Sequence, residues 1–151
     1  MSINTDEWRD LQPMQKAAAS REPVRFGLKQ MRSGLWRATV LVRLEVLEKL
    51  RLDHWRFAVR VGSGANRARL ALVPDRDGAF ELQEVGKVKG GGVYRLVLPP
   101  VRDWSEVDLK LTGVGHQVTD FQGSRKALFI DLPKPVWDRA SAVQLAAARK
   151  G

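Results

Sequence analysis

The chain has 151 residues, the size of one domain with a substantial core, and it has no cysteine, which excludes disulfides and thiolate metal ligands. Its 26 Lys and Arg outnumber its 17 Asp and Glu, so the formal net charge is +9. No run of about 18 apolar residues is present, and we expect a cytoplasmic protein without a membrane segment.

The positive charge is concentrated between Arg21 and Arg69. This stretch holds twelve basic and four acidic residues, a net charge of +8. A charge imbalance this local creates a potential that attracts polyanions, and it favours nucleic acid as the partner. The alternative is a basic surface that serves only solubility.

The first half of the chain begins with an N-terminal arm and continues as short strands. Residues 1–23 are acidic and then rich in alanine, and we assign them to the arm. Leu44, Leu47 and Leu50 lie on one face of a short amphipathic helix. Alternation of apolar and polar residues predicts strands at residues 24–28, 36–42, 56–61 and 69–73.

The second half is also rich in strands and ends in a helix. Residues 86–92, GKVKGGG, predict a loop or hinge, residues 113–124 a long turn, and residues 136–151 a C-terminal helix. Strands are predicted at residues 79–85, 93–98, 107–111 and 126–132. The predicted fold class is therefore mainly β (α+β), with one β-rich domain at residues 24–135 and short peripheral helices.

The order of elements suggests an internal duplication. In residues 39–74 a strand leads to a helical turn, a second strand, a Gly-x-Gly turn and a last strand closed by Pro74. Residues 94–133 repeat this order and close at Pro133. Two explanations stay open: a true duplication, and a chance agreement between two β-rich segments.

The segment VLVRLEVLEKLRLDHWRFAVRVGSGANRARLALVP resembles the AbrB-like swapped-hairpin DNA-binding family. It departs from the family pattern at Leu44, where the family has proline, and at His54 and Trp55, where it has Gly-Asp. The resemblance implies a small β-barrel of swapped-hairpin type, built by a homodimer or by a pseudo-dimer of two copies in one chain. The matching parts are residues 40–42 for the first strand, 46–50 for the helix, 57–61 for the second strand and 69–74 for the last strand.

The resemblance also implies a DNA-binding transcription regulator whose arginines reach DNA from one face of the barrel. Arginine suits bidentate contacts to phosphate or guanine. Within and beside the matching segment the candidates are Arg37, Arg43, Arg56, Arg60, Arg67 and Arg69. The wider basic region adds Arg32, and the glycine-rich loop adds Lys87 and Lys89.

No arrangement of residues predicts catalysis, a metal site or a cofactor. His54 and His116 lie far apart in the sequence, and a turn explains Asp75 and Asp77. The glycine-rich stretches lack the strand-to-helix context and the Lys-Ser/Thr pair of a phosphate-binding loop. We therefore expect a protein that is not an enzyme and carries no cofactor.

The chain has five tryptophans, whose expected role is core packing. Trp36 and Trp55 stand next to Arg37 and Arg56, and an aromatic residue beside an arginine on a strand also suits stacking of unpaired bases.

These observations predict a nucleic-acid-binding protein that contacts phosphates through the region from Arg21 to Arg69, with duplex DNA as the expected ligand. The alternative is a protein-interaction module of a mobile element or phage, which docks on an acidic host protein or occupies a nucleic-acid channel. The sequence does not distinguish DNA from RNA.

Overall fold

The computed structural model describes residues 22–85, 92–121, 123 and 125–150. Within these ranges the chain forms ten strands and three short helices. The helices are α1 (Leu44–Glu48), α2 (Lys134–Trp137) and α3 (Arg139–Lys150). The strands are β1 (Val24–Gln30), β2 (Trp36–Arg43), β3 (Arg56–Val61), β4 (Arg69–Pro74), β5 (Phe80–Glu81), β6 (Gln83–Val85), β7 (Val93–Leu98), β8 (Leu109–Gly113), β9 (His116–Phe121) and β10 (Arg125–Asp131).

The strands form two five-stranded sheets in which every pairing is antiparallel. Sheet A has the order β6-β7-β2-β1-β8, and sheet B has the order β5-β3-β4-β10-β9. The mainly β class predicted from the sequence is confirmed. The pairing is that of two sheets, and the swapped-hairpin barrel stays a prediction.

One apolar core lies between the two sheets. Phe26 and Val40 of sheet A and Leu72 and Leu128 of sheet B belong to the same cluster of contacting side chains, and each is fully buried. Trp104 closes one side of this core with an edge-to-face contact on Phe26, 5.7 Å between ring centres. Among the described residues, no polar or charged residue is buried.

The two sheets are also joined along both edges by nearly continuous strands. Only Leu82 separates β5 of sheet B from β6 of sheet A, and two residues separate β8 of sheet A from β9 of sheet B. A strand that bends into the second sheet exposes fewer unpaired backbone groups than a free edge does.

The strand pairings are symmetric between the first half of the chain, β1 to β4, and the second half, β5 to β10. In this symmetry β1 corresponds to β5 and β6 together, β2 to β7, β3 to β8 and β9 together, and β4 to β10. The β2–β7 and β4–β10 ladders join one half to the other within a single chain. Helix α1 lacks a helical counterpart, because residues 99–108 form turns and irregular backbone.

The short helices cover the ends of the core. Val46 and Leu47 of α1 are buried, and Val136 of α2 is buried in the same core cluster. Only Ala142 of α3 is buried, and most other described positions of this helix are exposed. None of the helices in the described ranges has the length and apolarity needed to cross a bilayer.

Three of the predicted elements differ from the structure, and one is the strand predicted at residues 79–85, which Leu82 divides into β5 and β6 of different sheets. The long turn predicted at residues 113–124 is wrong, because it contains β9, whose inward positions include the polar His116 and Asp120 beside Val118. These polar residues hide the alternation that a strand usually shows. The predicted C-terminal helix is two helices that meet at Asp138. Residues 1–21 of the predicted arm lie outside the described residues.

Helix α1 should be a sensitive point of the core. We expect Leu47→Ala to lower the free energy of unfolding by about 2–5 kcal/mol, because Leu47 is fully buried and the truncation leaves a cavity. The matched control is Leu35→Ala, which should cost less than about 0.5 kcal/mol because Leu35 is 60% exposed. Urea unfolding measures both, and equal losses would contradict the placement of α1.

His116 should make stability depend on pH. Burial lowers the pKa of His116 below its usual 6.5, and Lys49 lowers it further, against an opposing effect of Asp131. The unfolded chain therefore takes up a proton at this residue before the folded chain does. Stability should be insensitive to His116 above about pH 7 and should fall as the pH drops below about 6.5.

The pH dependence can be assigned by comparing the parent protein with His116→Gln in urea unfolding at several pH values. The variant should show a smaller loss of stability on acidification. Identical pH profiles for the two proteins would rule out this role of His116.

Candidate nucleic-acid interface

The outward face of sheet A carries a group of basic side chains, here called the basic face. Because the inward positions of each strand are apolar, the residues that alternate with them point away from the core. The basic face comprises Arg25, Lys29, Arg37, Arg95 and Lys110.

The strand register brings these cations close together. Arg25 and Arg95 flank Leu41 across three neighbouring strands, and Lys29 lies directly opposite Arg37. Like charges in directly opposite positions of an antiparallel pair are destabilising. An anion bound between Lys29 and Arg37 would remove this repulsion, so the arrangement favours a negatively charged ligand.

The basic face has little compensating negative charge. Strands β1, β2, β7 and β8 contain no Asp or Glu. The ion pairs Arg43–Glu45, Arg56–Glu81, Arg69–Asp131 and Arg76–Asp53 do not involve the basic face. The nearby carboxylates are Glu84 on the edge strand β6, Asp108 just before β8, and Glu22, whose carboxylate lies against Gly113, the β8 partner of Arg25.

A depression of about 350 Å³ lies between the cations. Its floor is Gly27, where a Cβ atom would come within 3.1 Å of the Leu109 carbonyl oxygen and the Leu111 amide nitrogen. The strand pairing is irregular at this point, which brings the β8 backbone across Gly27. Lys29, Arg37 and Lys110 line the depression, together with Asp108.

The structure divides the sequence-predicted site residues among several surfaces. Arg37 and Arg43 lie on sheet A, and Arg56, Arg60 and Arg69 lie on the outward face of sheet B. The two sheets pack through a common core, so these faces point in opposite directions. The single face implied by the family resemblance is therefore not the arrangement found.

The other predicted residues lie outside both sheets. Arg32 lies in the turn between β1 and β2, and Arg67 follows a single 3-10 turn at Gly64–Asn66. The Arg67 guanidinium stands over the ring of Trp137, 5.2 Å from its centre, and connects this turn to α2. Lys87 and Lys89 fall outside the described residues.

The arginines of sheet B have protein partners. Arg56 pairs with Glu81 at 3.3 Å and donates to the Gly78 carbonyl, and Arg69 lies 3.8 Å from Asp131. On sheet A, the guanidinium of Arg43 lies 3.7 Å from Glu45. Such partners compete with an incoming phosphate. The basic face of sheet A, which does not include Arg43, therefore offers the better phosphate-binding surface.

Sequence reasoning missed four residues of the basic face. Arg25 and Lys29 lie within the basic third of the chain but were not selected, and Arg95 and Lys110 lie beyond it. The alternation in β1 and β7 could have placed Arg25, Lys29 and Arg95 outward. The pairing of β7 with β2 and of β8 with β1 could not be read from sequence spacing.

The two tryptophans considered for base stacking are not on the basic face. Trp36 packs against the core, and Trp55 is held in a tilted contact with Tyr94, 5.2 Å between ring centres. Their partly buried positions support the packing explanation.

A second concave region, of about 600 Å³, lies beside the end of α1. It contains Arg51, Arg125 and Lys126, but Asp75 and Asp77 also line it. The Asp75 side chain accepts a bond from the Asp77 backbone N–H, as the predicted turn requires. Among the described residues no group of three or more His, Asp or Glu could hold a metal ion.

Comparisons with known proteins add no functional assignment. A scan against protein-family models, a search of curated proteins and a search of solved structures each find no match to this chain. The geometry and charge of the side chains are therefore the basis for assigning a function.

Proposed function

We propose that the protein binds nucleic acid by contacting phosphates with the basic face. One observation carries the proposal: the five cations of the basic face lie on four neighbouring strands that contain no acidic residue. Oriented Lys and Arg side chains on one face form the electrostatic footprint of a nucleic-acid-binding protein.

The size of the basic face suits several phosphate contacts. Neighbouring strands are about 4.8 Å apart, so the cations on β7 and β8, at the two sides, are about 14 Å apart. Arginine can hold a phosphate with two hydrogen bonds, and lysine acts as a point charge. Three to five simultaneous contacts are the expected range.

The contacts should be largely independent of base sequence. The residues between the cations are apolar or small, such as Leu41, Val97 and Gly27, and they offer no bidentate partner for a base edge. A five-stranded face is also broader than the helix or two-stranded ribbon that enters a major groove. The ligand is therefore recognised by its backbone.

We further propose that the chain is a duplicated, swapped-hairpin pseudo-dimer of the AbrB-like kind, acting in the cytoplasm as a DNA-binding regulator. The matching strand pairings of the two halves support the duplication. The positive charge does not have this symmetry. The outward positions of β1 include Arg25 and Lys29, whereas those of its counterpart β6 are Gln83 and Val85. A palindromic target is therefore not expected.

The alternative function is binding of an acidic protein on the same face. It is favoured by the exposed apolar residues beside the cations, Val97 at 38% and Leu111 at 42% exposure. Phosphate binding needs no such residues, whereas a protein interface buries them.

The salt dependence of binding tests the proposal. With four or five phosphate contacts, log affinity for duplex DNA should fall linearly with log salt with a slope of about −4. In the triple variant Arg25→Gln, Arg37→Gln, Arg95→Gln this slope should be less negative by about 3, because three phosphate contacts are removed. A fluorescence anisotropy titration at several salt concentrations measures both slopes.

The matched control removes three exposed arginines elsewhere: Arg102→Gln, Arg139→Gln and Arg149→Gln. It has the same net charge as the triple variant of the basic face but leaves sheet A unchanged. The control should keep nearly the full slope. Equal slopes for the two triple variants would show that only net charge matters, and the proposed face would be abandoned.

The pseudo-dimer makes a separate prediction about mass. Since the β2–β7 and β4–β10 ladders already close the core within one chain, we expect light scattering to give about one chain mass, 17.0 kDa. A mass of two chains at micromolar concentration would favour the homodimer instead.

A further inference from the structure

The outward face of sheet B carries an aromatic cluster that the phosphate-binding proposal does not use. Phe121 on β9 and Phe129 on β10 lie on adjacent strands, with ring centres 5.9 Å apart. The Arg60 side chain, from β3, lies over the Phe121 ring. These three residues are here called the aromatic face.

The aromatic face has a floor of small residues. Ala71, Val73 and Ala127 point outward yet are 7%, 4% and 0% exposed, because the larger side chains of the same face cover them. They form an apolar cluster separate from the main core, with Ala58, Phe121 and Phe129 packed around it. The result is a shallow apolar surface bordered by aromatic rings.

Arg60 lies across this floor. Its opposite residue on β4 is Ala71, and Ala71 is in turn opposite Phe129 on β10. The Arg60 guanidinium nevertheless reaches to 5.7 Å from the centre of the Phe121 ring, on the far strand β9. A planar cation therefore occupies the place over Phe121 where another planar group could stack.

We propose that the aromatic face is a second binding site, for unpaired bases of single-stranded nucleic acid. A base would stack on Phe121 in place of the Arg60 guanidinium, and Arg60 would turn to the base or to a phosphate. Stacking on aromatic side chains, surrounded by arginines, is the physical basis of single-strand binding on sheet surfaces.

The charges around the aromatic face fit this ligand. Arg125 lies opposite Phe121 in the β9–β10 pairing, and Arg69 borders the face beside Asp131. A strand stacked on the rings would have its phosphates within reach of these cations. An apolar protein segment would cover the rings but would leave Arg60 and Arg125, which belong to none of the ion pairs described above, facing no opposite charge, so we favour nucleic acid as the occupant.

The aromatic face and the basic face point away from each other, so the inference goes beyond the phosphate-binding proposal. The basic face offers cations without aromatic rings, and it holds a backbone. The aromatic face offers rings with few uncompensated cations, and it holds bases. One protein could therefore contact a duplex on one side and a single strand on the other.

The test uses the triple variant Arg25→Gln, Arg37→Gln, Arg95→Gln, so that the basic face does not dominate binding. The probes are a short oligothymidine, an abasic oligomer of the same length, and the oligothymidine with one 2-aminopurine. The oligothymidine should bind about tenfold more tightly than the abasic oligomer for each stacked base. Quenching of 2-aminopurine fluorescence should accompany binding.

Phe121→Leu in the same background should bring the affinity for oligothymidine down to that for the abasic oligomer, since leucine keeps an apolar cover but cannot stack. Val143→Ala, an apolar change at a 62% exposed position of α3, is the matched control and should leave both affinities unchanged. If Phe121→Leu fails to fold, the affinities of the background protein for the two oligomers, together with the 2-aminopurine quenching, still test whether bases stack on this face.

Three results would overturn the inference. These are equal affinities for the two oligomers, quenching that persists fully in a folded Phe121→Leu variant, and no binding of either oligomer by the background protein. None of them bears on the basic face, whose salt dependence is measured on duplex DNA with the unsubstituted protein.

Discussion

The whole structure depends on one apolar core shared by two sheets. Its inward positions are filled by residues such as Phe26, Val40, Leu72 and Leu128, and no polar residue of the described chain is buried among them. Burial of apolar area is the main favourable term in folding, and an unpaired charge in such a core would be costly. A charged residue of a strand therefore either points outward or lies near the end of the strand, as Asp120 does, where it stays exposed.

This requirement explains how one basic stretch of sequence serves two surfaces. Basic residues occupy outward positions of β1, β2, β3 and β4 alike, but the first two strands belong to sheet A and the last two to sheet B. The positive charge that is contiguous in sequence is thus separated in space. On sheet B the arginines form ion pairs and a ring contact, whereas on sheet A Arg25, Lys29 and Arg37 stay available together with Arg95 and Lys110.

Closure of the core within one chain has a second consequence. The pairings between the two halves, β2 with β7 and β4 with β10, cover the apolar surfaces that a single half would leave open. A chain that supplies both halves can vary them independently. Strand β6 has no basic residue, whereas β1, its counterpart in the other half, has two. Two identical halves in a symmetric homodimer could not differ in this way.

The sequence predicts the local structure of this chain better than its assembly. Alternation placed β1 to β4 and β7 within about two residues, and the leucine spacing placed α1, because inward positions there are strictly apolar. It failed at β9, where only Val118 marks the inward face, and at the break around Leu82, where one strand changes sheets. Local patterns carry no information about which strands become neighbours, so neither the grouping of Arg25, Arg37 and Arg95 nor the pairing of the two phenylalanines could be predicted.

The central claim is that the outward face of sheet A holds the phosphates of a bound nucleic acid. Lysine acetylation with mass-spectrometric readout, with and without duplex DNA at low salt, tests it most directly. Lys29 and Lys110 line the depression of the basic face, whereas Lys126 and Lys134 lie elsewhere. The account predicts that DNA protects Lys29 and Lys110 and leaves Lys126 and Lys134 reactive. Protection of Lys126 and Lys134 with no protection of the first pair would contradict it.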